Sequence, residues 1–336
     1  MTALLVRSTG ADVSIQDFGR VGLLGQGVSR GGAADMRALH EGAALLGHTP
    51  ECAALEMPGF GATFEATGPM RIALTGAQMR ATQNCRPIPP NVSIPVETGD
   101  ILNIQGATAG TYGYLNVGGG FDVPEILGAR GAHLRAGLGA AIQTGDRLPI
   151  GDDPHDDTMQ TLTPEPRLAG GALRAVHSIQ TNRFSPSDLS RFQATAFRRD
   201  PRANRMGLRL DYDGAPFTAA DQLNVLSEII VPGDIQMTGD GTPYILMPEC
   251  QTTGGYPRIG TIIPSDLPRA AQAPVGAPLT IQFIALTEAT EIERRTAREL
   301  AHLAGTLRPL VRDPHDIPDL LSYQLIDGVI SGKRSK

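Results

Sequence analysis

Gly254-Gly255-Tyr256-Pro257-Arg258-Ile259 echoes an earlier run, Gly119-Gly120-Phe121-Asp122-Val123-Pro124-Glu125-Ile126. Downstream of each comes a glycine that opens a strand: Gly145-Asp146-Arg147-Leu148-Pro149-Ile150 after the first, and Gly276-Ala277-Pro278-Leu279-Thr280-Ile281 after the second. The echoes point to one strand-rich plan used twice, although runs this short also arise by chance. A length of 336 residues suits two domains of ordinary size better than one core.

The composition agrees. Gly 40 and Pro 26 are high, Trp is absent, and β-branched residues recur in short runs, which favours many short strands over long helices. Leu4–Ser8 and Val13–Asp17 read as strands around a Thr9-Gly10-Ala11-Asp12 turn. Met36, Leu39, Ala43 and Leu46 fall at helical spacing, with Asp35 as cap and Gly47 as stop. Turn signals follow at Gly59, Gly68-Pro69, Thr98-Gly99-Asp100 and Gly118-Gly119-Gly120. The acidic, proline-bearing segment from Gly151 to Pro166 reads as a solvated linker, and Glu291 to Ala304 as a charged helix. The division expected is 1–155 for an N-terminal domain, 156–166 for a linker, 167–288 for a C-terminal domain and 289–336 for a helical tail.

A net charge of −6, with no basic block before Lys333-Arg334-Ser335-Lys336, argues against nucleic-acid and acidic-membrane partners. No apolar run reaches membrane-spanning length and no export signal opens the chain. Three cysteines, Cys52, Cys85 and Cys250, follow no pairing motif and read as a reducing cytoplasm. Of the 29 basic residues only Lys333 and Lys336 are lysine. The body therefore offers no lysine for a Schiff base, a phosphate loop or covalent biotin, and such a group is expected to arrive on another chain.

Several motifs compete for a chemical role. Gly27-Val28-Ser29-Arg30-Gly31 fits a nucleophile elbow, but glycine-rich residues replace the strand that should precede it. The cluster Asp152, Asp153, His155, Asp156 and Asp157 has no metal-ligand spacing, and the seven histidines are scattered, so no metal is expected. Gly118-Gly119-Gly120 opens no helix and supports no dinucleotide fold. Asp17 can pair with Arg20 to brace a turn, or Gln16 and Arg20 can face a pocket. Arg205 and Arg209, at alternate positions of a strand, would share one face and could hold a carboxylate or ureido oxygen. In Gln251-Thr252-Thr253-Gly254-Gly255-Tyr256-Pro257, a turn explains the glycines and proline but not the polar side chains.

An ordered set of segments resembles a known family. It comprises Gln16-Asp17-x-Gly19-Arg20, Gly32-Ala33-Ala34-Asp35, Ala54-Leu55-Glu56 and Thr75-Gly76-Ala77. It continues with Gly119 to Pro124, Arg205-Met206-Gly207-x-Arg209-Leu210, Ile235-Gln236, Gln251 to Pro257, Asp266-Leu267-Pro268 and Ala271-Gln272. From about residue 4 to 285 the chain resembles the biotin-dependent carboxyltransferases, also called allophanate hydrolase subunit 2 or KipA-like. They include the C-type subunit of 5-oxoprolinase and the carboxyltransferase domain of urea carboxylase. The resemblance implies a mainly β fold with short helices, built as two tandem cyclophilin-like β-barrel domains.

The resemblance also implies a partner of the KipI-like kind, the B-type subunit of 5-oxoprolinase, with either a LamB/YcsF-type subunit or a biotin carboxylase and its carrier. Carboxybiotin or ATP would come from those partners. The substrate would be a small cyclic amide or a urea-like compound. A non-catalytic regulatory subunit of the KipA type is the alternative. Carboxyl transfer or lactam opening needs fixed donors at an oxygen that gains negative charge. Gln251, Arg205 and Tyr256 are the catalytic candidates, with Thr252, Thr253, Gly254, Gly255, Gln236, Arg209, Asn204, Gln16, Arg20 and Arg130 binding substrate. The chain departs from its relatives at Ala129-Arg130-Gly131 (usually Ser-Arg-Ser/Thr), Gly139-Ala140 (usually Gly-Arg), Asn204 (commonly Asp) and Glu249-Cys250-Gln251 (Asp-x-Gln).

Overall fold

The computed structural model describes residues 2–220 and 225–311. Alternation in Ala3–Thr9 buries Leu4 and Val6 and turns Arg7 outward. This strand pairs antiparallel with Ala62–Ala66 on one side and Arg147–Pro149 on the other. Ser14–Gln16 pairs with Ala54–Pro58 instead, after the chain passes Asp12 at φ 56°. Among the described residues nine strands form this first sheet. The long strands Met70–Gln83 and Ile101–Val117 pair along most of their length, with register shifts that bend them. The sheet curls around Leu4, Phe64, Ile72, Leu102 and Leu115 but does not close. Helix α1 (Met36–Leu46) starts where Asp35 accepts the Ala38 N–H at 3.2 Å and stops at Gly47, φ 73°.

The second half closes. Among the described residues seven strands, from Gly171–Val176 to Pro278–Phe283, form a barrel, sealed by parallel pairing of that first and last strand. Helix α2 (Pro186–Ala194) supplies Phe192, whose ring lies 4.9 Å from Phe197 and 5.4 Å from Phe217. The mainly β expectation with short helices is met, one unit a barrel and the other a curled half-barrel.

The downstream pair of glycines in the opening echoes stands at matching places. Gly145 (φ 97°) and Gly276 (φ 77°) each lead into the last strand of their sheet, which pairs with that sheet's first strand. The other pair does not match in purpose. Gly119 is left-handed, and a Cβ there would lie 2.4 Å from the Gly151 carbonyl oxygen. Gly254 makes room for a side chain, as the site below shows.

The segment expected as a solvated linker is partly docked. Asp153 accepts two N–H bonds from Arg71, at 2.7 and 2.8 Å. Gln160–Thr161 pairs with Arg308–Pro309. The expected tail boundary at 289 falls inside a helix, because α4 (Leu286–Ala301) begins three residues earlier, and residues 312–336 lie outside those described. Ala289 and Ile292 of α4 pack on Ile263 of the barrel, and the turn Leu303–Thr306 touches α1. The short helix α3 (Leu267–Gln272) ends in a buried glutamine that reaches into the first half. Gln272 Nε2 donates to Asp35 Oδ2 at 2.8 Å, and its Oε1 accepts the N–H groups of Thr111 and Tyr112 at 2.9 and 3.0 Å. Ala33, Leu39 and Tyr114 share one apolar cluster with the barrel residues Leu173, Ile235 and Ile281.

Candidate functional site

Buried charge is matched across the junction of the halves. Arg167 is held by Asp35 at 2.8 Å and Glu41 at 2.7 Å. Arg205 Nε donates to Glu249 Oε1 at 2.7 Å, Nη1 to Glu56, and Nη2 to the Gly32 carbonyl at 2.7 Å. Burial works against the Arg205 charge, but Glu56 and Glu249 outweigh it and hold the group above the usual arginine range. The expectation that Arg205 and Arg209 share a strand face is corrected here. The strand runs Gly207–Asp211, so Arg205 precedes it, while Arg209 faces Asp200 at 3.3 Å and Asp211 at 3.4 Å. The two side chains take separate partners, and Arg205 braces the junction of the halves.

Beside this junction the barrel wall opens into a cleft of about 380 Å³, lined among others by Gln236, Gln251, Tyr256, Asn204 and Tyr244. Gln236 stands on the strand Asp234–Met237, is 8% exposed, and its Nε2 has no hydrogen-bond partner among the described residues. A Cβ on Gly254 would lie 2.3 Å from that nitrogen, so this glycine is what lets the amide stand where it does. Gln251 and Tyr256 are exposed at the rim. Asn204 Oδ1 accepts the Met206 N–H at 2.8 Å and fixes the turn that divides this cleft from the next.

Part of the polar run is structural. Thr253–Gly254 pairs with Glu228–Ile229, and the Thr252 carbonyl accepts the Ile230 N–H at 3.1 Å. Gly255 and both threonines are outside the lining of the cleft. Arg258 ties the facing segment down through the Glu228 carboxylate and, at 2.9 Å, the Ile229 carbonyl. Cys250 also lines the cleft, but burial, with Asp234 adding to it, pushes its thiol up to about 12, which leaves it inert at neutral pH.

The second cleft, of about 520 Å³, lies across the Asn204–Met206 turn and is lined by Tyr112, Arg135, Arg199, Arg205 and Glu249 among others. Arg199 and Arg135 were not singled out from the sequence. The signal was present: Arg198 and Arg199 are adjacent on a strand, so one must point inward.

The remaining candidates from the first half lie elsewhere. Gln16 is fully buried, its Nε2 donating to Ser14 Oγ and the Ala132 carbonyl at 3.0 Å each. Arg20 does not pair with Asp17: its Nε donates to the Ile126 carbonyl at 2.9 Å, while Asp17 accepts the N–H groups of Gly19 and Arg130. Arg20 borders a third, mostly apolar cavity of about 370 Å³. Arg130 reaches Glu125 at 2.6 Å, half-exposed. A Cβ at Gly131 would lie 2.6 Å from Asp17 Oδ1, so the glycine found here makes room for that carboxylate.

Ser29, of the elbow-like run, lies 2.8 Å from His133 Nε2. His133 Nδ1 accepts the Ala136 N–H at 3.2 Å, so Nε2 carries the proton and donates to Ser29. Glu249 stands 3.9 Å away, committed to Arg205. This is a braced loop, not an activated serine.

Residues 26–284 match the sequence pattern of the family described as carboxyltransferase domain, subdomain A and B. The chain belongs to this family. It is 32% identical over 308 residues to the C-type subunit of 5-oxoprolinase from Escherichia coli, a match covering 90% of this chain and 98% of that protein. It is 24% identical over 326 residues to urea amidolyase of Saccharomyces cerevisiae, covering 89% of this chain and 17% of that one. The crystal structure of the K. lactis urea amidolyase superposes with a TM-score of 0.81 at 22% identity, over 93% of this chain and 21% of that one, which shows a shared fold. Among the described residues no helix is long and apolar enough to cross a membrane.

Proposed function

We propose that the chain is the C-type subunit of an ATP-dependent 5-oxoprolinase, acting on a cyclic amide in the cleft around Gln236. The observation that carries this reading is the 32% identity to the Escherichia coli C-type subunit across 98% of that protein's length. The cleft suits such a ligand. Gln236 Nε2, without a partner among the described residues, can donate to a ring carbonyl, and Gln251 and Tyr256 at the rim add donors on the open side. An amide carbonyl gains negative charge as the ring is attacked or its oxygen is activated, and donors fixed in advance stabilise that charge. ATP, supplied with a KipI-like B-type subunit and a LamB/YcsF-type subunit, would provide the activation. Three free cysteines fit work in the cytoplasm.

Carboxyl transfer is the second reading, favoured by the family pattern and the urea amidolyase relatives. The same donors would hold a ureido oxygen, carboxybiotin would supply an activated carboxyl group, and a separate carrier would have to deliver it. The deciding experiment co-expresses the chain with its KipI-like and LamB/YcsF-type partners. Glutamate release from 5-oxoproline is then followed with and without ATP. The complex is expected to turn over, with kcat/KM falling about tenfold in Gln236→Ala. Urea carboxylation in the presence of a biotin carrier, with no 5-oxoproline consumed, would replace the first reading by the second. A complex whose activity ignores Gln236→Ala and Gln251→Ala would point to a regulatory subunit.

A further inference from the structure

In the second cleft a buried cation lacks a counterpart among the described residues. Arg199 is 7% exposed. Arg198, on the opposite face of the strand, reaches Asp213 at 2.9 Å, so Arg199 is the inward one of the pair. Its Nη1 donates to Thr111 Oγ1 at 3.2 Å, while its Nε has no acceptor among the described residues. Burial holds its guanidinium below the usual arginine range, with the Tyr112 phenol pulling the other way. Among the described residues no carboxylate does for Arg199 what Glu56 and Glu249 do for Arg205.

The surroundings are biased the same way. Arg135 lines the cleft, and its Nε rests on Met206 Sδ at 2.8 Å rather than on an acid. Tyr112 is almost fully buried there, and burial followed by Glu56 pushes its hydroxyl up to about 12, so it stays protonated and able to donate. Of the described residues, two acidic side chains share the cleft. Glu249 is committed to Arg205 and to the N–H groups of Leu134 and Arg135. Asp12 is exposed. Buried polar groups in folded proteins are satisfied by something, and the Arg199 guanidinium, at the wall of the cleft with a buried Nε that has no acceptor among the described residues, belongs to the group type whose planar fork a carboxylate fills.

We propose that Arg199, with Arg135 and Tyr112, forms a binding subsite for the carboxylate of a small organic acid in the cleft beyond the Asn204–Met206 turn. The inference goes beyond the lactam reading and is independent of what reacts around Gln236. The test titrates the full chain with acetate and with its neutral counterpart acetamide, in low-salt, chloride-free buffer, followed by ligand-observed NMR and by thermal unfolding.

Acetate is expected to bind saturably and to raise the unfolding temperature, and acetamide to do neither. Arg199→Met weakens acetate binding about tenfold or more, Arg199→Lys keeps part of it, and Arg198→Met leaves it unchanged. Without acetate, Arg199→Met unfolds at a higher temperature than the wild type, since an uncompensated buried charge has been removed. Equal binding of acetamide, no saturable acetate binding by the wild type, or unchanged acetate binding in both Arg199 variants would overturn the proposal.

Discussion

Arg205→Met would test the charge balance between the halves. The side chain is 7% exposed and reaches Glu249, Glu56 and the Gly32 carbonyl. Methionine fills a similar length, so the loss is mainly of charge. Glu56 would keep the Ala34 N–H at 2.8 Å and the Tyr114 hydroxyl at 2.6 Å. Glu249 would keep the N–H groups of Leu134 and Arg135 at 3.3 and 3.1 Å. Two carboxylates at 0% and 2% exposure would thus lose their shared cation while retaining four neutral donors.

Leaving one buried charge unpaired costs about 3–5 kcal/mol, and the retained donors keep the pair within that range. Urea unfolding at pH 7, followed by far-UV circular dichroism because the chain has no Trp, would read this as a midpoint lowered by about 1–2 M. Adding Glu249→Gln removes one stranded charge, so the double variant should lose less than the sum of the singles, with a coupling of about 1–3 kcal/mol. A single variant whose midpoint stays within about 0.2 M of the wild type would refute the assignment of Arg205 to bracing.

Gly254→Ala is expected to fold but to displace the Gln236 amide, since its Cβ would lie 2.3 Å from Nε2. Catalytic efficiency in the assembled complex should fall about tenfold, and combining it with Gln236→Ala should add nothing further, which steady-state kinetics would show. Cys250 should resist alkylation: with its thiol pushed up to about 12, the thiolate is roughly one part in ten thousand at pH 8. Iodoacetamide at pH 8 followed by mass spectrometry should label exposed Cys85 well before Cys250 in the native protein; equal labelling rates would contradict the geometry.

What could be read from the sequence was local. Helix α1 carries its own start in Asp35 and its own stop in Gly47, so spacing alone placed it. The strand read as Leu4–Ser8, from an apolar run beside a turn signal, is there and runs one residue further at each end, Ala3–Thr9. The curled, unclosed first sheet was not, because its frame is two strands of 14 and 17 residues whose bends sit at register shifts. Glycines inside those strands, such as Gly76 and Gly110, look like turns in a sequence.

The site divided along the same line. Gln236, Gln251, Tyr256 and Asn204 do line one cleft. Arg205 was read as a donor to ligand because an arginine carries no mark of its partners. Glu56 and Glu249 stand 149 and 44 positions away along the chain. Arg199 was overlooked although two adjacent arginines on a strand cannot both reach water.

The ion pairs at the junction constrain how this chain could be recombined with its relatives. Asp35, Glu41 and Glu56 come from the first half, and Arg167 and Arg205 from the second. A chimera that exchanged the first half for a foreign one would need acids at the same depth, or it would strip Arg167 of both its acids and leave Arg205 with Glu249 alone. Breeding variants by crossover should therefore succeed only where the parents carry both sets of charges, whatever their overall similarity.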